Sequence, residues 1–81
     1  MINVFDIVYG KETIKIENTG TTKDGHTNYI AHLPDDELHI THTEDDEGAG
    51  RWIDMQTNHE TEVSGEIGRL IELYLVQQQN N

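Results

Sequence analysis

NVFDIVYGKETIKIE, residues 3–17, is the stretch from which the fold of this chain is read. Asn3–Tyr9 alternates as a strand does, with Phe5 and Ile7 on one face and Val4, Asp6 and Val8 on the other. Gly10-Lys11 follows, and a two-residue loop with glycine first is the signature of a type II′ hairpin turn. Glu12–Glu17 alternates again, with Ile14 and Ile16 together. With Gly10 and Lys11 as the loop, Ile7 falls opposite Ile14, Phe5 opposite Ile16 and Asp6 opposite Lys15. Apolar pairs then share one face and an opposite-charge pair occupies the other, so register and chemistry agree.

Downstream, Asn18–Gly25 (NTGTTKDG) is polar and turn-rich and is expected to be a loop. His26–Leu33 is the third predicted strand. Pro34 ends strand pairing, and a short loop through Asp35, Asp36 and Glu37 leads into a fourth strand, Leu38–Thr43. A four-residue loop sets Leu33 opposite Leu38, His32 opposite His39, Ala31 opposite Ile40 and Tyr29 opposite His42. Tyr29, Ala31, Leu33, Leu38 and Ile40 form the core face of that pair. Glu44–Gly50 (EDDEGAG) is a flexible acidic loop, and Arg51–Thr57 is the fifth strand, with Ile53 and Met55 assigned to the core. Thr61 or Ser64 can cap a helix that carries Glu62 and Glu66 in its first turn, where acids suit the dipole. Val63, Ile67, Leu70, Ile71, Tyr74 and Leu75 make its apolar stripe. Gly65 and Gly68 each cost helix propensity, which a close approach to the sheet would explain.

The expected fold class is therefore α+β: an antiparallel sheet of four to five strands with one C-terminal helix packed on one face, in the order β-β-β-β-β-α. Residues 1–76 form one domain and residues 77–81 a frayed tail. With 81 residues and 33% apolar content the core is one thin layer. There is no cysteine, which excludes disulfides, thiolate metal ligation and cysteine nucleophiles and suits a reducing, cytoplasmic setting. The N-terminus lacks the basic region and apolar run of a signal peptide. No apolar run approaches the roughly 20 residues that span a bilayer.

Charge is the most distinctive property. Against 5 Lys and Arg stand 16 Asp and Glu, for a formal net charge of -11. From Asp24 to Gly50 there is no Lys or Arg, while Asp35, Asp36, Glu37, Glu44, Asp45, Asp46 and Glu47 fall in two clusters beside predicted strands. Such a surface repels anionic membranes and nucleic acid and favours a basic partner. Carboxylates on a rigid hairpin can stand where nucleic-acid phosphates would in a basic groove. The plain alternative is a pair of solvated loops that keep the protein soluble. Trp52, beside Arg51, is either a partner anchor or a core residue at the sheet edge. His32 and His39, as cross-strand neighbours, are metal-ligand candidates that lack a third ligand, so no metal or other cofactor is expected. The EDDEG run lacks the alternating pattern of a calcium-binding loop. Exposed carboxylates without apolar neighbours, and a single serine best used as a cap, give catalysis no foothold.

In size, absence of cysteine, and acid clusters such as Pro34-Asp35-Asp36-Glu37 and Glu44-Asp45-Asp46-Glu47 beside a short sheet and helix, the chain resembles small acidic inhibitors encoded by phages and mobile elements. Anti-CRISPR proteins and uracil-DNA glycosylase inhibitors are of this type. The resemblance implies a non-enzymatic DNA mimic whose partner is a nucleic-acid-binding enzyme such as a CRISPR effector. A small interaction module, pairing as a homodimer through an edge strand, is the alternative.

Overall fold

The computed structural model describes residues 4–79. It is an α+β fold: β1 (Val4–Tyr9), β2 (Glu12–Thr21), β3 (Thr27–His32), β4 (Glu37–Glu44), β5 (Gly50–Asp54) and α1 (Glu62–Gln79). The strands form one antiparallel sheet in sequence order, β1-β2-β3-β4-β5.

The β1–β2 register is the one the loop dictates, with Ile7 opposite Ile14, Phe5 opposite Ile16 and Asp6 opposite Lys15. Gly10 takes φ 65° while Lys11 stays outside the left-handed region, as a type II′ turn requires. β2 runs further than expected. Asn18–Thr21, read as loop, continues the strand through an irregularity between Asn18 and Gly20. There the Asn18 side-chain oxygen accepts the Gly20 N–H at 2.9 Å and Gly20 adopts φ 123°. The polar residues that looked like a loop thus make a β-bulge, which absorbs one extra residue without ending the ladder.

The third hairpin is tighter than expected. Leu33 and Asp36 exchange backbone hydrogen bonds of 2.8 and 3.4 Å, leaving Pro34 and Asp35 as the loop. Pro34 suits the first loop position because its ring already holds the φ that position needs. The register consequently slips by two residues: Ala31 faces Leu38, Tyr29 faces Ile40, Ile30 faces His39 and His32 faces Glu37. An even slip keeps every side chain on its face, so the core residues survive while the cross-strand partners change.

β5 corrects the sequence reading. Trp52 is 5% exposed and Asp54 is buried, whereas Met55 is 48% exposed and Ile53 points to the other face. Trp52, not Ile53 and Met55, supplies the core. It fits because Gly68 of the helix lies over it: a Cβ at Gly68 would come within 2.1 Å of the indole. Asp54 tolerates burial because its carboxylate accepts the Gln56 N–H at 2.8 Å.

The helix begins with a reciprocal cap. Thr61 Oγ1 accepts the Ser64 N–H at 3.0 Å and Ser64 Oγ accepts the Thr61 N–H at 2.9 Å, a capping box with serine in the usual glutamate position. Ser64 is fully buried, and its hydroxyl donates to the Trp52 carbonyl at 2.8 Å, tying α1 to β5. Ile67 and Ile71 are wholly buried, while Val63 and Leu75, at the margins of the predicted stripe, are 37% exposed. The helix continues past Val76 through Gln79, into the segment expected to fray; residues 80–81 of that segment lie outside the described residues.

The sheet is curled. Its outer strands β1 and β5 both approach the helix backbone, together with β4. Five flat strands would hold their outer members about 19 Å apart, against a helix about 10 Å across. Phe5 on β1 stacks on Tyr74 with ring centroids 4.2 Å apart, while Trp52 on β5 meets Gly68. The helix therefore lies in the trough of the sheet and bridges its two edges.

Candidate functional site

The acidic clusters are built by two turns at opposite ends of β4. In the first, Asp36 Oδ1 accepts the Glu37 N–H at 2.7 Å, which pins the carboxylate to the turn. Glu37 lies 3.6 Å from His32 Nδ1, and the other ring nitrogen of His32 lies 3.2 Å from Glu17. His32 therefore sits between two carboxylates and not beside His39, whose cross-strand neighbour is Ile30. The two-residue slip removes the expected imidazole pair. Among the described residues no group of three or more His, Asp or Glu is placed to hold a metal ion.

The second turn is organised by Asp45. Its Oδ1 accepts the N–H groups of Glu47 and Ala49, each at 2.9 Å, and its Oδ2 accepts Nε and a terminal nitrogen of Arg51 at 3.2 and 3.1 Å. The backbone closes too, with Asp45 N–H to Ala49 O at 3.0 Å and Gly48 N–H to Asp45 O at 3.0 Å. The Ala49 and Glu47 amides, with Arg51 adding to them, hold the Asp45 carboxyl below its ordinary range. Asp45 is thus the keystone of its own turn, and the loop expected to be flexible has a defined set of internal bonds. Glu44, Asp46 and Glu47 around it are exposed, as are Asp35, Asp36 and Glu37 at the other end.

The eight residues of β4 set the separation of the two turns. At about 3.3 Å per residue, Glu37 and Glu44 are roughly 23 Å apart. What the sequence presents as one acidic stretch is therefore two patches on one rigid strand.

Trp52 does not belong with them as a surface anchor. Its indole N–H donates to Glu72 at 2.9 Å, and the His42 ring stacks on it with centroids 4.5 Å apart. His42 Nε2 is buried without a hydrogen-bond partner and lies 3.8 Å from the same Glu72 oxygen. A Trp this enclosed offers a partner little ring to grip.

The sequence reading missed a third acidic feature. Between β5 and α1 runs a cleft of about 310 Å³ walled by Glu60, Glu62, Glu66 and Glu72, with Arg69 among them and Trp52 at its floor. Glu60 pairs with Arg51 at 3.4 Å. On the side of β1, partial burial followed by the Glu66 and Glu62 carboxylates raises the pKa of Tyr9. The signal was available: Glu62, Glu66, Arg69 and Glu72 recur at helical spacing on one flank. Spacing alone does not single out a cleft, because Glu62 and Glu66 in the first turns equally suit the helix dipole.

These surfaces can receive ammonium and guanidinium groups. A carboxyl held below its ordinary range, as in Asp45, suits a fixed anion and not a general acid. No helix among the described residues is long and apolar enough to cross a membrane. No protein-family model, curated protein or solved structure matches this chain.

Proposed function

We propose that this chain is a non-enzymatic binding protein that occupies the basic, nucleic-acid-binding surface of another protein, in the manner of the small acidic inhibitors it resembles. The observation that carries the reading is the pair of exposed acidic turns, each closed by its own hydrogen bonds, held roughly 23 Å apart by one strand. Projected on the axis of a duplex, the phosphates of one strand recur about every 3.4 Å, so two patches aligned with that axis span about seven of them. A groove built to pair phosphates with Lys and Arg gains from carboxylates at both ends of such a span. The target class is a nucleic-acid-binding enzyme, a CRISPR effector nuclease among them, and the setting is the cytoplasm.

The residues that face the partner are Asp35, Asp36, Glu37, Glu44, Asp46 and Glu47. Asp45 shapes the turn that presents three of them, and Trp52 holds the core. The test is binding to a purified CRISPR effector and to a second DNA-binding enzyme, with DNA as competitor, at low and high salt. Steered association slows about tenfold or more as salt rises, and the paired substitution Asp46→Lys with Glu47→Lys weakens binding without unfolding the protein. Binding indifferent to both salt and charge reversal, or failure of DNA to compete, removes the proposal.

A further inference from the structure

The two edges of the sheet are treated differently. On the outer side of β5 the chain turns back, and Asp54 N–H donates to His59 O at 2.9 Å, forming a bridge that covers the end of that edge. Among the described residues nothing pairs with the outer side of β1. The two-residue loop makes Tyr9 and Glu12 a hydrogen-bonded pair, so bonded and non-bonded pairs alternate along the hairpin away from it. Phe5, Ile7 and Tyr9 therefore direct their backbone groups to β2. Val4, Asp6 and Val8 direct theirs outward. The same residues carry exposed side chains, with Val4 at 42% and Val8 at 61%. Beside this edge a groove runs between β1 and the helix, lined by Val8, Leu70, Leu73 and Tyr74, with Leu73 54% exposed.

We infer that β1 is a docking edge for an extended segment of a basic partner, which adds a sixth strand to the sheet. An open row of backbone donors and acceptors beside an apolar groove is the arrangement used in strand addition. The exposed side chains choose the occupant. Val4, Asp6 and Val8 read apolar, acidic, apolar, so the incoming strand places a Lys or Arg opposite Asp6 between two apolar residues, and its alternate side chains enter the groove. A second copy of this chain fits poorly. Antiparallel self-pairing that uses Val4, Asp6 and Val8 together sets Asp6 against Asp6, between chains that each carry -11. The inference rests on the reading that the partner is basic, and it assigns that partner a backbone contact away from the acidic turns.

The probe is the capped peptide KVLKLVK, titrated into the isotope-labelled full chain. A second peptide of identical charge carries an N-methyl group on the backbone nitrogen that would face β1. The unmodified peptide protects the amides of Val4, Asp6 and Val8 from hydrogen exchange and leaves those of Phe5, Ile7 and Tyr9 as they were. The N-methylated peptide binds about fivefold or more weakly, the worth of one lost hydrogen bond. Val8→Pro, which removes an outward N–H, weakens the unmodified peptide likewise, and the N-methylated peptide makes the same test on unaltered protein. Equal binding of the two peptides, or shifts confined to the acidic turns, overturns the inference. So does a mass in solution showing a dimer with Val4, Asp6 and Val8 protected before any peptide is added. The double variant Asp46→Lys, Glu47→Lys separates the two proposals: it weakens binding of the nucleic-acid-binding enzyme while the alternating protection by peptide persists. Loss of that protection in the double variant overturns the edge assignment alone.

Discussion

Replacing Gly68 with alanine tests the packing on which the whole arrangement depends. In an exposed helix interior the change would stabilise the protein by about 1 kcal/mol, the propensity difference between the two residues. Here the new methyl would lie 2.1, 2.2 and 2.5 Å from atoms of the Trp52 ring. Carbon atoms rest about 3.5–4.0 Å apart, so ring and helix must separate by roughly 1.5 Å. Overpacking of this kind costs about 1–3 kcal/mol, and sometimes more. Displacing the indole also strains its 2.9 Å bond to Glu72, a half-exposed acceptor worth about 1 kcal/mol. Set against the propensity gain, the net loss is about 1–3 kcal/mol, a fall in Tm of roughly 4–24 °C for a domain of this size. Gly65 supplies the control. A Cβ there meets only Glu60 Oε2 at 3.9 Å, so Gly65→Ala gains most of the 1 kcal/mol. Urea unfolding followed by fluorescence of Trp52, the single tryptophan, measures both variants. A Gly68→Ala protein as stable as Gly65→Ala, with the fluorescence maximum unmoved, would refute the placement of Trp52 beneath the helix.

Further outcomes follow from the same contacts. Ser64→Ala removes the hydroxyl that caps α1 and leaves the Trp52 carbonyl unpaired; about 1–2 kcal/mol is lost in denaturant titrations. Met55→Lys, on the face first assigned to the core, changes stability by no more than about 0.5 kcal/mol, and a large loss would restore Met55 to the interior. Asp45 has a folded-state pKa below its ordinary value, so its contribution is fully present above that value and disappears as pH falls through the folded one. Acid titration of stability in Asp45→Asn is accordingly flatter at the low-pH end than in the parent. Identical acid limbs would show that the turn does not depend on the charged form.

Much of the architecture was legible because it depends on local rules. A Gly-Lys loop between alternating segments admits one register, and Ile7, Ile14, Phe5 and Ile16 obey it. The β3 and β4 faces were also readable, since a slip of two residues preserves which side chains point inward, although it separates His32 from His39. The stripe through Ile67 and Ile71 follows from helical spacing alone. The inward face of β5 could not be read this way, because Trp52, Ile53 and Met55 put apolar groups on both sides of the strand. Gly68, distant in sequence, opens the space that a tryptophan fills, and the Asp54 carboxylate finds its own amide partner in the following turn. The acids show the same division. Sequence determined their number and their grouping near turns. Only the tertiary structure decided that β4 holds two groups apart, that Asp45 is consumed by Arg51 and two amides, and that glutamates of the helix share a cleft with β5. Adjacency along a chain constrains bonds a few residues long, whereas which carboxylates meet a partner together depends on strand length and on what packs across the sheet.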